Sequence, residues 1–222
     1  MTDTSRTDPH HGQPTATHGP APADAAGGVI AVHGRGSTAD NILLLSNVVP
    51  RHDLAWIAPQ AAGNTWYPHS FLAPLEQNEP WLSSALNRLA DALAQLEADI
   101  PAEKIVLIGF SQGACLASEF VARNPRRYGG LVVFSGGLIG SGQGHGMPPD
   151  DKLFDYGGSL DGTPVFLGCS DIDPHIPAPR VEISAQTFDA MGADVTARLY
   201  PGAGHDINDD EVKQMRGILT AL

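Results

Sequence analysis

The stretch GFSQGACLAS, from Gly109 to Ser118, decides how the chain reads. It joins an apolar run, KIVLIGF (104–110), to a segment of helical spacing, QGACLASEFVARN (112–124). Within it Gly109, Phe110, Ser111, Gln112 and Gly113 fit G-x-S-x-G, the pattern of a serine held on a tight strand-to-helix turn. The two flanking glycines leave room for the chain to pass close to itself. The first free amides of the helix then point towards the serine oxygen. The bland alternative is an accidental match, with Ser111 merely capping a helix. The partners found elsewhere in the chain decide between the two.

Working outward, short apolar runs alternate with amphipathic stretches. GVIAVHG (28–34), LAWIAP (54–59), KIVLIGF, GLVVFSG (130–136), PVFLGC (164–169) and DVTARLY (194–200) read as six strands. ADNILLLSNVV (39–49) reads as a helix, and Pro80 to Asp99 as the clearest one. There Leu82, Leu86, Leu89, Leu93 and Leu96 recur at steps of four and three and form one apolar stripe. Pro80 suits the first helical position. Val181, Ala185, Phe188 and Met191 share one face of a further helix, and Val212, Met215, Ile218 and Leu219 give the closing helix its apolar side. Asn208 can cap that last helix, with Glu211 completing a capping box. Such alternation implies βαβ units: a mostly parallel sheet of about six to seven strands, covered on both faces by helices. In such sheets ligands bind beyond the carboxyl ends of the strands.

That rule picks out partners for Ser111. PVFLGC is followed by SDIDPHIP, which offers Asp171 and Asp173; DVTARLY is followed by PGAGHDIND, which offers His205. The order serine, acid, histidine is the one that follows a nucleophile elbow. The first strand ends in HGRG (33–36). Two backbone amides, of Arg35 and of Gln112 just after the serine, are candidates for an oxyanion hole. HGRG lacks the Gly-Lys-Ser/Thr ending of a phosphate-binding P-loop.

The composition narrows the classes. The 222 residues suffice for one domain with a substantial core. With 25 acidic and 13 basic residues the net charge is −12, which repels nucleic acid and anionic lipid. No apolar segment is long enough for stable membrane insertion. Cys115 and Cys169 lie in apolar contexts and read as core residues. The start of the chain shows no export signal, so the expectation is a cytoplasmic protein. Residues 1–27 contain no Val, Ile, Leu, Phe, Trp or Tyr; the expectation is a disordered, dispensable tail ahead of a domain at 28–222. A metal site among His10, His11 and His18 is disfavoured in such a tail.

Taken together, VHGRG, GFSQGA, DPHIP and GAGHDI resemble the phospholipase/carboxylesterase group of α/β-hydrolases, which includes bacterial carboxylesterases and acyl-protein thioesterases. The resemblance covers the chain from Gly28 onward. It implies the α/β-hydrolase fold and a serine hydrolase without cofactor or metal, acting on a small-molecule ester through Ser111, His205 and an acyl-enzyme. Its pattern selects Asp173, ahead of Ile176 and Pro177, over Asp171. Thioester or lactone hydrolysis by the same triad, or a non-catalytic binding protein, are the alternatives, and an oligomer is compatible. Two departures stand out. The group usually carries further strands before the HG strand, so one sheet edge is expected to be reduced. Residues 64–81 differ from the thioesterase pattern. Their aromatics Trp66, Tyr67, His69 and Phe71 either line a substrate pocket or fill core, and Trp66 and Tyr67 are the candidate substrate contacts. His175 is expected to face solvent, and the glycine-rich loop 137–162 is a candidate partial lid.

Overall fold

The computed structural model describes residues 8–141 and 154–222. Seven strands form one sheet: β1 (Thr15–His18), β2 (Gly27–Val32), β3 (Leu54–Pro59), β4 (Ile105–Phe110), β5 (Gly130–Phe134), β6 (Pro164–Ser170) and β7 (Asp194–Tyr200), in the order β1-β3-β2-β4-β5-β6-β7. All neighbours are parallel except β1, which runs antiparallel to β3. The helices are α1 (Ala39–Leu43), α2 (Trp81–Glu97), α3 (Gln112–Arg123), α4 (Ala178–Ala190) and α5 (Asp209–Thr220). This is the α/β-hydrolase architecture.

The central strands are apolar along their whole length because both faces are covered. Ile30, Val32, Leu107 and Val133 face one core with α2, α3 and α4. Their neighbours Val29, Ala31, Val106 and Val132 face the other, with α1 and α5. The period-two alternation of a strand thus fills two cores from one sequence run. The α2 stripe packs as expected, with Leu82, Leu89, Leu93 and Leu96 buried and Leu86 partly so. At α5 the capping box forms: Asn208 Oδ1 accepts from the Glu211 amide at 3.0 Å, and the Asn208 amide donates to Glu211 Oε2 at 2.8 Å. At the far edge, β7 is the strand most open to solvent, and Arg198 there reaches Asp210 of α5.

Three expectations need correction. The stretch 39–49 is not one α-helix: α1 ends at Leu43 and a 3₁₀ turn continues through Val48. Pro50 disfavours helical geometry at Val49 before it, so the last turn tightens instead. Pro80 caps α2 rather than opening it. The largest correction concerns the tail. Residues 1–7 lie outside the described residues, but from Asp8 on the segment is ordered. Thr15–His18 pairs with Pro59–Trp56, and Arg88 of α2 donates to Gln13 O and Thr15 Oγ1, each at 3.0 Å. The edge expected to be reduced is therefore occupied by TATH. Threonine, β-branched, suits a strand as well as the larger apolar residues do. What this segment lacks in apolar surface it replaces with hydrogen bonds.

His10 shows the same substitution. It is fully buried, between the rings of Trp66 and Trp81. Its amide donates to Ser84 Oγ at 2.9 Å, and its Nδ1 accepts from the Ala62 amide at 3.0 Å. That leaves Nε2 to carry the proton and donate to Trp66 O at 2.9 Å. His33, also against the Trp66 ring, repeats the arrangement: Nε2 accepts from the Ala61 amide at 3.1 Å, and Nδ1 donates to Gly34 O at 2.8 Å. Burial drives both imidazoles below their ordinary pKa.

Candidate active site

Ser111 directly follows β4, the middle strand of the sheet. Its φ is 54° and its ψ −120°, a costly conformation for a residue with a side chain. It survives because its surroundings hold it. The Ser111 amide donates to Phe134 O at 2.9 Å, and the Cys115 amide donates to Ser111 O at 3.0 Å. The flanking glycines are required by crowding. A Cβ at Gly109 would lie 2.5 Å from the backbone of Ala114, and one at Gly113 would collide with Val32 O and His33 O. The helix below, α3, is buried from Gln112 to Ala122. Although Ser111 occupies the cap position of that helix, its side chain makes no capping hydrogen bond; the hydroxyl is directed elsewhere.

It meets His205. Ser111 Oγ lies 2.8 Å from His205 Nε2, and His205 Nδ1 lies 2.7 Å from Asp173 Oδ2. With a carboxylate at Nδ1, that nitrogen carries the proton, and Nε2 accepts from the serine hydroxyl. The three residues follow β4, β6 and β7, and all stand at the carboxyl end of the sheet. Asp173 is fully covered, while His205 keeps 20% of its side-chain surface exposed. Burial alone would push the Asp173 carboxyl up. Hydrogen bonds from His205 and from the amides of His175 and Ile176 outweigh it and hold the carboxyl below its usual range. Asp171 plays another part: its Oδ1 accepts from the Gly202 amide at 2.8 Å and ties the β6 loop to the β7 loop.

The hydroxyl opens into a cleft of about 640 Å³ lined by Gly34, Arg35, Tyr67, His69, Phe71, Phe110 and His175, among others. Both proposed oxyanion-hole residues lie there, Arg35 in the loop after β2 and Gln112 at the first turn of α3, where an amide has no intrahelical acceptor. The aromatic loop divides. Tyr67, His69 and Phe71 reach the cleft; Trp66 does not. Trp66 is completely buried, with Nε1 donating to His33 O at 2.8 Å, so its reading as a substrate contact gives way to a core role. His175, expected to face solvent, is exposed but also borders the cleft and packs edge-on against His205, with 4.9 Å between ring centres.

Two side-chain roles were invisible in the sequence. Gln112 braces the aromatic loop: Oε1 accepts from the Trp66 amide at 2.9 Å, and Nε2 donates to Tyr67 O at 2.8 Å. Arg35 grips the same loop through the carbonyls of Tyr67, Pro68 and His69. A glutamine or arginine that serves a distant backbone leaves no local pattern to find. Cys115 lines the cleft floor, but burial pushes its thiol up to about 12, which removes it as a nucleophile at neutral pH. The candidate lid at 137–162 lies partly outside the described residues. Its first part is pinned, with Arg180 donating to Leu138 O at 2.8 Å and Gly140 O at 2.6 Å. Among the described residues no three of His, Cys, Asp and Glu converge as a metal-binding group. No described helix is long and apolar enough to cross a membrane.

Comparison with known proteins gives the family. Residues 20–222 match the phospholipase/carboxylesterase family. A phospholipase/carboxylesterase of known structure from Dyadobacter fermentans is 41% identical, with a TM-score of 0.87 over 95% of this chain and 97% of that one. Acyl-protein thioesterase 1 of Gibberella zeae is 29% identical over 126 residues, which is 56% of this chain and 51% of that protein. The matched region thus spans about half the length of that relative. The structure of Zea mays acyl-protein thioesterase 2, 18% identical with a TM-score of 0.70 over 94% of this chain and 98% of that one, shares the fold. The chain belongs to the phospholipase/carboxylesterase family.

Proposed function

From that membership we propose that the protein hydrolyses carboxylic esters of small molecules through a triad of Ser111, His205 and Asp173. His205 takes the serine proton as Oγ attacks the ester carbonyl, and Asp173 stabilises the imidazolium that forms. The amides of Gln112 and Arg35 receive the charge on the carbonyl oxygen; one such donor is worth about 3 kcal/mol. Collapse of the tetrahedral adduct expels the alcohol, protonated by His205, and leaves Ser111 acylated. Water, deprotonated by the same imidazole, then releases the acid. The observation that carries the reading is the unbroken relay of 2.8 and 2.7 Å from hydroxyl to imidazole to buried carboxylate. Two free, buried cysteines suit the reducing cytoplasm, where we place the reaction.

The test is labelling by a fluorophosphonate followed by mass spectrometry. Modification at Ser111 that disappears in His205→Ala, together with turnover of p-nitrophenyl acetate or butyrate, is the expected result. Folded protein that neither labels nor turns over ester would instead be a binding protein. A thioester is a second substrate class for the same chemistry, and relatives named acyl-protein thioesterase favour including it. Paired oxygen esters and thioesters of equal chain length separate the two.

A further inference from the structure

The protein as a whole is strongly acidic, with a net charge of −12. Its cleft is the reverse. The residues lining it include one arginine and three histidines, and no aspartate or glutamate. Asp40 and Asp206, sequence neighbours of the lining residues Asn41 and His205, stay outside it, and Asp173 is covered behind His205.

The arginine is Arg35, and it is fixed. Its Nη1 donates to Pro68 O at 3.1 Å, and its Nη2 donates to Tyr67 O and His69 O, both at 2.9 Å. All three acceptors belong to cleft-lining residues. They are neutral carbonyls, so they orient the guanidinium without cancelling its charge. Three of its five N–H donors are thereby used and two are left. No described carboxylate lies within ion-pair distance of Arg35. Arg35 is exposed and lines the cleft that holds the nucleophile, so an oriented cation with two donors left stands where an anion can reach it.

Building on the hydrolase reading above, we propose that the substrate is an ester that carries a carboxylate, and that the Arg35 side chain selects it. Arg35 then serves twice: its amide faces the reacting oxygen, and its guanidinium faces the substrate's charge. Ser37, Asn41 and Ser70 add neutral hydrogen-bonding groups to the same cleft.

The test compares kcat/KM for charged and neutral esters of one shape. Monoethyl glutarate against its neutral monoamide counterpart places the charge on the acid side; acetylglycolate against acetylglycolamide places it on the alcohol side. The expected result is a preference of about tenfold or more for the anion in at least one pair, smaller at high salt. In Arg35→Gln the charged member loses the larger factor and the preference collapses; Arg35→Lys retains part of it. Wild-type inhibition by glutarate, stronger than by its neutral diamide, gives the same answer without any variant. Neutral members turned over as well as charged ones in both pairs, or an equal loss on both members in Arg35→Gln, would overturn the selection while leaving the hydrolase intact. Absence of turnover on every ester, with no fluorophosphonate label, would instead overturn the hydrolase reading.

Discussion

The protein holds two kinds of histidine environment, and they are built to opposite ends. His205 has a carboxylate on one nitrogen and a hydroxyl on the other, and part of its ring meets solvent. His10 and His33 have backbone groups on both nitrogens and no solvent at all. The first arrangement puts a hydroxyl on one nitrogen and a carboxylate on the other; the second disfavours an added proton, because protonation would turn the acceptor facing Ala61 or Ala62 into a donor facing a donor. On the proposed reading, the same side chain serves as a proton carrier in one place and a neutral rivet in the other. Partners, not residue type, separate chemistry from architecture.

The sharpest way to break this contrast is to remove each set and watch different observables. Ser111→Ala or His205→Ala should lower kcat/KM for a neutral ester by about a million-fold, with the thermal midpoint nearly unmoved. Asp173→Asn should cost about ten-thousand-fold, since the amide imposes the wrong tautomer on His205. His10→Ala does the reverse. It strands the Ala62 amide and Trp66 O, and should destabilise by about 3 kcal/mol. Removing the segment through His18 should lower the midpoint by roughly 10 °C. A truncated protein as stable as the full chain would mean that β1 adds nothing.

The smallest effect is in the pH dependence, and it has two opposing parts. His10 and His33 titrate below 6.5 when folded, so the unfolded chain binds protons more readily there. Their contribution to stability is present above 6.5 and fades as the pH falls below it. Glu211 goes the other way. Burial, with Asp210 adding to it, raises its carboxyl to about 7 against an ordinary 4.5, despite the hydrogen bond from Asn208. The folded state therefore holds the extra proton between these values, and stability falls as the pH rises through them. Among the described residues one Glu211 oxygen, Oε1, has no hydrogen-bond partner, and it rests against Gly168. Glu211→Gln should raise the midpoint at pH 8 by a few degrees. In that background the midpoint should drop more steeply between pH 7 and 5.5 than in the wild type; calorimetry across this range checks both.

The convergence of Ser111, Asp173 and His205 was legible because the chemistry proposed for them needs fixed neighbours in the chain. A serine elbow demands Gly109 and Gly113, and strand ends must supply the acid and the base. The capping box at Asn208 and Glu211 is equally local. The structural side was not legible. His10 pairs with Trp66, Ala62 and Ser84, which lie 52 to 74 residues away, and no local pattern announces such pairings. Residues 8–27 lack apolar surface, the feature a sequence pattern reveals, whereas hydrogen bonds and two tryptophan rings hold them. Trp66 was misassigned for a related reason: an aromatic in a loop fits core or cleft equally well until its Nε1 partner is known.

The sheet closes differently at its two ends. One is sealed by an antiparallel strand from the start of the chain. The other, β7, pairs on one side only among the described residues. Asp194, Thr196 and Arg198 are exposed there, and charges on an unpaired border are a common defence against copies zipping together. The polarity of that strand therefore disfavours strand addition by a second copy of the chain.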